Sequence, residues 1–469
     1  MGFALTVVYI AAAIISPEQF GPTIANYHPL LYLAGITFLF SLPGILANIY
    51  SRSSIQTFLL LGFVFAIALS EMANGWIGGI LASWREFLPS AAVFFFIVAN
   101  VTTVRRLKIL TLVSVATCLV VVVEAFCGYY GGFRGDLFVS IDNILLINGE
   151  VGQLARLRGA GFLNDPNDLA QMLLIALPLI FFAWPRRRAI ASFMMVLVPA
   201  ATVLWAVYLT HSRGASIALA ILTLMVTRKR LGTTTSAILI AALVVGMLAL
   251  QFTGGRGISA ADGAGRLEAW ANGLEMFKSA PLFGVGFGRF TDFHDITAHN
   301  SFVLCLAELG LVGSTIWIAL LVTTLMSLND MIGHTDEKKG QTTSLGNTEQ
   351  EREATFLGDP LPSGESLAVT SAESAITNDA GIAFEPAELS IIPRHWVAAM
   401  RIALVAFVTT AWFLSRSYTL PLYLVLGLAT AMIALRQSAA DSYTSRRWVF
   451  LTLAVEVSAI LCVYGMVRL

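Results

Sequence analysis

Long apolar runs alternate with short polar segments along the whole chain. About thirteen of these runs approach the roughly 20 residues that an α-helix needs to cross the hydrocarbon core of a membrane. They lie near residues 3–16, 29–49, 55–70, 88–101, 107–127, 168–184, 189–210, 214–227, 235–252, 300–326, 396–415, 419–435 and 448–466. The pattern predicts an all-α, polytopic membrane protein with about 12–13 transmembrane helices.

The composition excludes an ordinary soluble protein. Hydrophobic residues make up 57% of the 469 residues and charged residues only 12%, whereas soluble domains have about 45–50% and about 25%. So few charges cannot cover the surface of a soluble protein of this length. We therefore expect the lipid bilayer as a partner, and no nucleic acid.

Basic clusters in short loops orient the predicted spans, because such clusters mark the cytoplasmic side of a membrane. If the spans alternate in direction, all four clusters fall on one side. The clusters lie at residues 105–108, 186–188, 228–230 and 446–447. The long loops at 128–167 and 253–298, and the turn at 211–213, are then extracytoplasmic.

These features divide the chain into four parts. N-terminal spans occupy residues 1–127, and a core with the two long outer loops occupies 128–326. Residues 327–395 are rich in Ser, Thr, Gly and acidic residues and poor in aromatic ones, which predicts a disordered acidic cytoplasmic insertion. C-terminal spans occupy 396–469.

Arg213 is a candidate anion-binding residue, because it lies in a short turn between two apolar runs. The run after it, at 214–227, would form a helix of about 21 Å, which is shorter than the hydrocarbon core of about 30 Å. A guanidinium sunk to that depth needs a polar cavity or a partner. The alternative is an interface arginine whose side chain extends toward water.

The first outer loop ends in Arg156, Arg158, Asn164 and Asn167, directly before an apolar run. Asn and Asp cap helix N-termini well, so one interpretation is a capped helix start. The other is an anion site, in which two arginines, side-chain amides and the N–H groups of a helix N-terminus bind a phosphate group. Both interpretations stay open.

The second outer loop contains Arg266 at the start of a predicted amphipathic helix at 266–278, and it ends at His299. His299 would stand at the N-terminus of the next span, where the helix dipole disfavours the imidazolium. It is therefore a candidate neutral base. A capping or interface histidine is the alternative, and His294 is a weaker rival for the base.

Three glycines in the same loop, Gly284, Gly286 and Gly288, do not follow a predicted strand. We therefore exclude a dinucleotide-binding loop and predict tight turns. Asn300, next to His299, is a candidate ligand contact. Glu308 lies inside the following span, where a carboxylate needs a partner; it is a candidate either for substrate contact or for structural pairing.

Seven short segments carry a resemblance to a known family through their order and spacing. They are residues 161–167, 212–214, 266–270, 281–286, 298–302, 308–310 and Gly313. Together they resemble the O-antigen ligase and O-antigen polymerase superfamily of bacterial envelope glycosyltransferases. The resemblance covers about residues 90–325.

The resemblance implies a lipid-linked-sugar glycosyltransferase-type fold in the bacterial inner membrane, with two long periplasmic loops and a site that faces the periplasm. The implied donor is an undecaprenyl-pyrophosphate-linked glycan, and the acceptor is a glycan or a lipid. In that family arginines hold the pyrophosphate, which here would be Arg158 or Arg156, Arg213 and Arg266. His299 would be the catalytic base.

The chemistry of the residues agrees with this implication. A glycosyl pyrophosphate already carries a good leaving group, so the enzyme must add fixed positive charge and a base for the acceptor hydroxyl. The sequence has no Asp-x-Asp pair, and its four cysteines show no paired spacing. We therefore expect metal- and cofactor-independent, inverting transfer or polymerisation in O-antigen, exopolysaccharide or capsule synthesis. A membrane transporter of a small anion or lipid-linked substrate is the alternative, and a non-catalytic envelope assembly component is a further one.

Overall fold

The computed structural model describes residues 1–51, 54–145, 151–184, 189–252, 254, 260–356, 392–436 and 447–468. Seven helices precede the first long outer loop or begin it. They are α1 (Gly2–Ile15), α2 (Pro22–Asn26), α3 (Pro29–Ser51), α4 (Ile55–Ala73), α5 (Gly79–Asn100), α6 (Val104–Gly131) and α7 (Gly135–Phe138).

Two strands and nine helices follow in the described residues. They are β1 (Val139–Leu145), β2 (Val151–Leu157), α8 (Pro166–Leu179), α9 (Ala189–Leu209), α10 (Arg213–Ala249), α11 (Ala260–Ser279), α12 (Phe290–Phe293), α13 (Ser301–Phe356), α14 (Arg394–Ala411), α15 (Leu420–Arg436) and α16 (Arg447–Arg468). Each predicted apolar run falls largely within one of these helices.

The chain is an all-α, multi-pass membrane protein, as predicted. The described residues contain eight helices that are long and apolar enough to cross a membrane, together with three shorter apolar helices. The first half of α10 and α14 are also helical, but they do not belong to either group. The number of 12–13 spans therefore stays a prediction.

One small sheet interrupts the helical fold. Strands β1 and β2 pair antiparallel, with Val139 opposite Leu157 and Leu145 opposite Val151. We predicted only a loop here. The sequence carries the signal in the Asn-Gly pair at 148–149, which lies between two segments rich in Val, Ile and Leu and is typical of hairpins. The hairpin matters because β2 ends at the arginines of the first outer loop.

The interior is packed around α5, α8, α13, α14 and α15. The largest fully buried side chains include Trp317, Tyr423, Phe63, Phe87 and Phe94. By contrast, α3, the second half of α10 and α16 leave most of their apolar surface uncovered. In a membrane protein such helices face lipid, because lipid tails cover apolar side chains as well as a protein core does.

Helix α10 is longer after Arg213 than we predicted. It runs unbroken from Arg213 to a single non-helical residue, Gly232, whose φ is 80°. The helix before this break is about 28 Å long at about 1.5 Å per residue, which is close to the thickness of the hydrocarbon core. The added residues include Arg228, Lys229 and Arg230, so the helix is longer than we predicted, while its apolar run after Arg213 remains short.

Helix α13 continues to Phe356, so its backbone is helical where we predicted disorder from residue 327 onward. Extending an existing helix costs much less free energy than nucleating a new one, and the segment up to Phe356 contains no proline. Residues 357–391 lie outside the described residues, and the disorder predicted for them stays a prediction.

Helix α13 is broken at Gly310, which has φ 61° and ψ −162°. The turn-containing segment 281–286 forms hydrogen bonds with the backbone on both sides of the break. The four bonds are Leu311 N to Pro281 O (2.9 Å), Val312 N to Leu282 O (3.1 Å), Val285 N to Ala307 O (3.0 Å) and Gly286 N to Glu308 O (3.1 Å). The backbone groups at the break are thus satisfied, as the membrane interior requires.

We expect Gly284→Ala to destabilise the protein by at least about 2 kcal/mol. Gly284 has φ +69°, and an added Cβ would lie 2.3 Å from the Glu308 carbonyl carbon. Gly246→Ala is the control, since it is helical and has no atom within 4 Å of an added Cβ. The measurement is the thermal unfolding midpoint in detergent. Equal midpoints for the two variants would contradict the close packing at the break.

Candidate active site

His299 lies immediately before α13, in a backbone conformation that is unusual for a residue with a side chain. Its φ is +47°, and such left-handed backbone concentrates at functional sites. The next residue, Asn300, caps the helix: its Oδ1 accepts hydrogen bonds from Phe302 N (2.9 Å) and Val303 N (3.2 Å). Asn300 is fully buried, so its Oδ1 has a structural role, and the ligand contact stays a prediction.

The surroundings of His299 keep its ring neutral. Burial lowers the pKa of His299 below its usual value of 6.5, and the positive charges of Arg266 and Arg416 lower it further, whereas Asp165 raises it. The net shift is downward, because burial and both arginines disfavour the imidazolium. This agrees with the neutral base predicted from the sequence.

Arg266 reaches His299 because of the Arg-x-x-x-Trp spacing. Arg266 and Trp270 lie on α11, one turn apart. The Trp270 Nε1 donates a hydrogen bond to the carbonyl oxygen of Ala298 (2.9 Å). This bond holds α11 against the segment that carries His299. Trp270 and Leu274 on the same helix are buried, whereas Leu267 is exposed.

Arg156 is held by protein partners, which favours a structural role over the pyrophosphate binding that we predicted for it. Its Nη1 pairs with Asp142 Oδ2 (2.8 Å), its Nε donates to Thr210 O (2.9 Å), and its Nη2 donates to Asn167 Oδ1 (3.2 Å). The residue is buried. Arg156 thus ties the hairpin to the starts of α8 and α10, and its hydrogen bonds also occupy Asn167, which we predicted to contact substrate.

Arg158 is placed differently from Arg156. It is half-buried, and its guanidinium donates to two backbone carbonyls, those of Asp136 (2.6 Å) and Asn164 (3.2 Å). These acceptors are neutral, so they orient the guanidinium without neutralising its charge. The Asn164 side chain itself is exposed. The position of Arg158 is therefore compatible with anion binding.

Arg213 is the first residue of α10 and is half-buried. The helix start is fixed by Ser212, whose Oγ accepts from Ala215 N (3.4 Å). The next residue, Gly214, lies against Phe413, which would be 3.2 Å from an added Cβ. Because Phe413 belongs to the α14–α15 connection, the start of α10 borders the same end of the bundle as that connection.

Arg416, in the α14–α15 connection, belongs to this site but was missed from the sequence. Its guanidinium forms a two-pronged ion pair with the buried Asp168, at the start of α8. Its backbone N–H donates to Ser301 Oγ (2.8 Å), at the start of α13. The signal was the one used for Arg213, an arginine in a short polar turn between two apolar runs.

A cavity of about 700 Å³ adjoins these residues. Its wall includes Arg416, Thr297 near His299, and Glu308. Glu308 is buried, and its Oε1 accepts a hydrogen bond from Phe290 N (3.1 Å). Of the two roles left open by the sequence, structural pairing is therefore observed, and the carboxylate also borders the cavity.

Metal ligands do not cluster in the described part of the chain. No group of three or more His, Cys, Asp or Glu side chains there is placed to hold a metal ion. His294, the weaker rival for the base, lies near its own backbone, with Nδ1 3.0 Å from Ile296 O.

Comparison with known protein families finds a match in the central part of the chain. Residues 198–318 match the family model described as O-Antigen ligase. Residues 198–318, about a quarter of the chain, are thus similar to an O-antigen ligase domain. This domain contains Arg213, Arg266, His299 and Glu308, whereas Arg158 precedes it. No curated protein sequence matches the chain. The O-antigen ligase domain indicates a glycosyltransferase-type membrane enzyme of surface polysaccharide synthesis.

We expect Arg156→Ala to lower the free energy of unfolding by about 3 kcal/mol, because it removes a buried charged hydrogen-bonding network. Arg158→Ala, two residues away on the same hairpin, is the control and should cost less than half as much. The measurement is thermal or denaturant unfolding of the two purified variants. An Arg156→Ala protein as stable as the wild type would contradict the structural role.

Proposed function

We propose that this protein is a glycosyltransferase of the O-antigen ligase or polymerase type. It uses an undecaprenyl-pyrophosphate-linked oligosaccharide on the periplasmic face of the bacterial inner membrane and joins it to a glycan or lipid acceptor. The observation that carries the proposal is the pair of hydrogen bonds on either side of His299, from Trp270 Nε1 to Ala298 O and from Arg416 N to Ser301 Oγ. They bring the helix of Arg266 and the Arg416 segment to this histidine, and a neutral base beside fixed cations is what this reaction needs.

The arginines would bind the donor pyrophosphate. Arg213, Arg266 and Arg158 are the candidates, and they lie at the same end of the bundle. Arg266 is exposed, and Arg213 and Arg158 are half-buried. Arg156 is no longer one of them. A planar guanidinium fits two phosphate oxygens at once, and positive charge fixed in advance stabilises the leaving group as its negative charge develops.

His299 would act as general base toward the acceptor. Its ring takes the proton of an acceptor hydroxyl while the hydroxyl oxygen forms a bond to the anomeric carbon of the donor sugar. The bond between that carbon and the pyrophosphate oxygen breaks, and undecaprenyl pyrophosphate leaves with the bonding electrons. Attack opposite the leaving group inverts the configuration at the anomeric carbon.

Arg416 would act as a positioning residue for this base. Its ion pair with Asp168 and its backbone bond to Ser301 link α8, α13 and the α14–α15 connection. Its charge also disfavours protonation of His299. Arg416 therefore supports the reaction by keeping the base neutral and by holding it at the edge of the 700 Å³ cavity.

A transporter of an anion or lipid-linked substrate is the second candidate. The break of α13 at Gly310 supports it, because transporters bind substrates at interrupted helices. The two candidates differ in their products. The glycosyltransferase releases undecaprenyl pyrophosphate and forms a glycosidic bond, whereas a transporter moves its substrate across the bilayer unchanged.

We expect His299→Ala to reduce glycan transfer by about 10²–10⁴-fold, the usual contribution of a general base. The measurement is release of undecaprenyl pyrophosphate from a lipid-linked donor in proteoliposomes. His294→Ala is the control and should keep wild-type activity. Wild-type turnover by His299→Ala would remove this residue from the mechanism. Donor translocation by the wild type without any release would favour the transporter.

We expect the acid limb of the pH–activity profile to lie below pH 6.5, because a base must be neutral to act and the pKa of His299 is lowered. Arg266→Gln removes a charge that lowers this pKa, so the limb should move to higher pH. Asp165→Asn removes a charge that raises it, so the limb should move to lower pH. The measurement is kcat/KM against pH. Shifts in the same direction would contradict His299 as the titrating base, since general damage cannot produce opposite shifts.

A further inference from the structure

A second cavity, of about 620 Å³, lies beside the first. Both cavities have Glu86, Phe287 and Gly288 in their walls. They are therefore adjoining parts of one groove, which runs from the surroundings of Arg416 to the turn that carries Trp76.

Trp76 is held in place on one side and exposed on the other. Its backbone N–H donates to Glu71 O (3.0 Å), and its carbonyl accepts from Gly79 N (2.9 Å). Gly79 lies directly against the indole, since an added Cβ would be 2.2 Å from a ring carbon. Nevertheless 47% of Trp76 is exposed. A fixed ring with an open surface is suited to stacking.

The floor of the second cavity is built from buried hydrogen bonds. Oε1 of the fully buried Glu71 accepts from both Ser83 Oγ (2.8 Å) and Phe287 N (3.0 Å). Asn74 Nδ2 donates to Gly284 O (2.9 Å). These bonds join the end of α4 to the segment that supports the break in α13, so the cavity has a rigid base.

The lining of this cavity is polar apart from its aromatic rings. Asn74, Ser83 and Glu86 contribute an amide, a hydroxyl and a carboxylate. Arg289 and Asp292 add an ion pair of 3.0 Å at the exposed rim. A lipid chain would take the exposed Glu86 carboxylate and the Arg289–Asp292 pair out of water without offering them hydrogen bonds. A sugar ring matches them, since it has hydroxyls at its edge and an apolar C–H surface on its face.

We propose that the second cavity is a saccharide-binding subsite, in which Trp76 stacks on a sugar ring and the polar lining binds its hydroxyls. The inference rests on the proposed function and extends it: the groove would hold sugar units several positions away from the bond that forms at His299. The glycan could belong to the donor or to the acceptor, because both carry the same chemistry.

The test uses the full-length protein in nanodiscs. The probes are lipid-free oligosaccharides of one, two and three repeats, released by mild acid from the surface polysaccharide of the host. Titration calorimetry should give a wild-type Kd that falls with repeat number. Trp76→Ala should weaken binding of the three-repeat probe by about tenfold, which corresponds to about 1.4 kcal/mol, and should leave the one-repeat probe unchanged.

Two further variants make the result specific. Trp184→Ala is the matched control, because Trp184 is similarly exposed (44%) but follows α8 at the end remote from His299; it should bind all probes as the wild type does. Trp76→Phe keeps an aromatic ring and should retain part of the affinity, which separates stacking from damage to the turn.

Adding the lipid-linked donor distinguishes the two sources of glycan. A probe that becomes glycosylated identifies an acceptor subsite, whereas a probe that slows donor turnover competitively without being glycosylated identifies a donor subsite. Both results support the proposal.

Three results separate this inference from the proposed function. Wild-type protein that releases undecaprenyl pyrophosphate but binds all probe lengths equally overturns the subsite alone. Wild-type affinity of Trp76→Ala for the three-repeat probe also overturns it, and leaves Trp76 as an aromatic residue of the membrane interface. Length-dependent binding through Trp76 without any release of undecaprenyl pyrophosphate overturns the glycosyltransferase and retains the saccharide subsite.

Discussion

The break in α13 is the constraint on which the rest of the outer half depends. A helix within a membrane can be interrupted only if its backbone N–H and C=O groups find other partners inside the protein. Residues 281–286 provide them through four hydrogen bonds. Because these bonds require the two backbones to meet, the second outer loop is held in the protein rather than extended into solvent.

This pairing places several functional elements at once. It sets Gly284 directly on the backbone of Glu308 and brings Phe287 within hydrogen-bond distance of Glu71 on α4. The same loop then returns to His299 and the start of α13. The walls of both cavities therefore include residues of this loop, and the geometry of the groove follows from the hydrogen bonds at the break.

Ion pairs with buried members also fix the positions of segments of the fold. Arg156 and Asp142 join the hairpin to its neighbours, and Arg416 and Asp168 join the α14–α15 connection to α8. Breaking such a pair leaves a buried charge without its partner, which is costly, so each pair fixes the relative positions of the segments it links. Arg158 instead donates to two neutral backbone carbonyls, an environment that suits an anionic ligand.

The sequence by itself determined the membrane class, the helices and the approximate site. Apolar runs depend on neighbouring residues, so they identified the membrane class and the helices correctly; the role of His299 as a neutral base stays a prediction. Only the tertiary structure decided which arginines are structural, because Arg156 and Arg158 look equivalent in the chain and differ only in the partners that folding brings to them. The same holds for Arg416 and for the groove at Trp76. The partners of Arg416, and Phe287 on the far wall of the groove, are more than 100 residues away in the chain, and no local pattern encodes a contact over that distance.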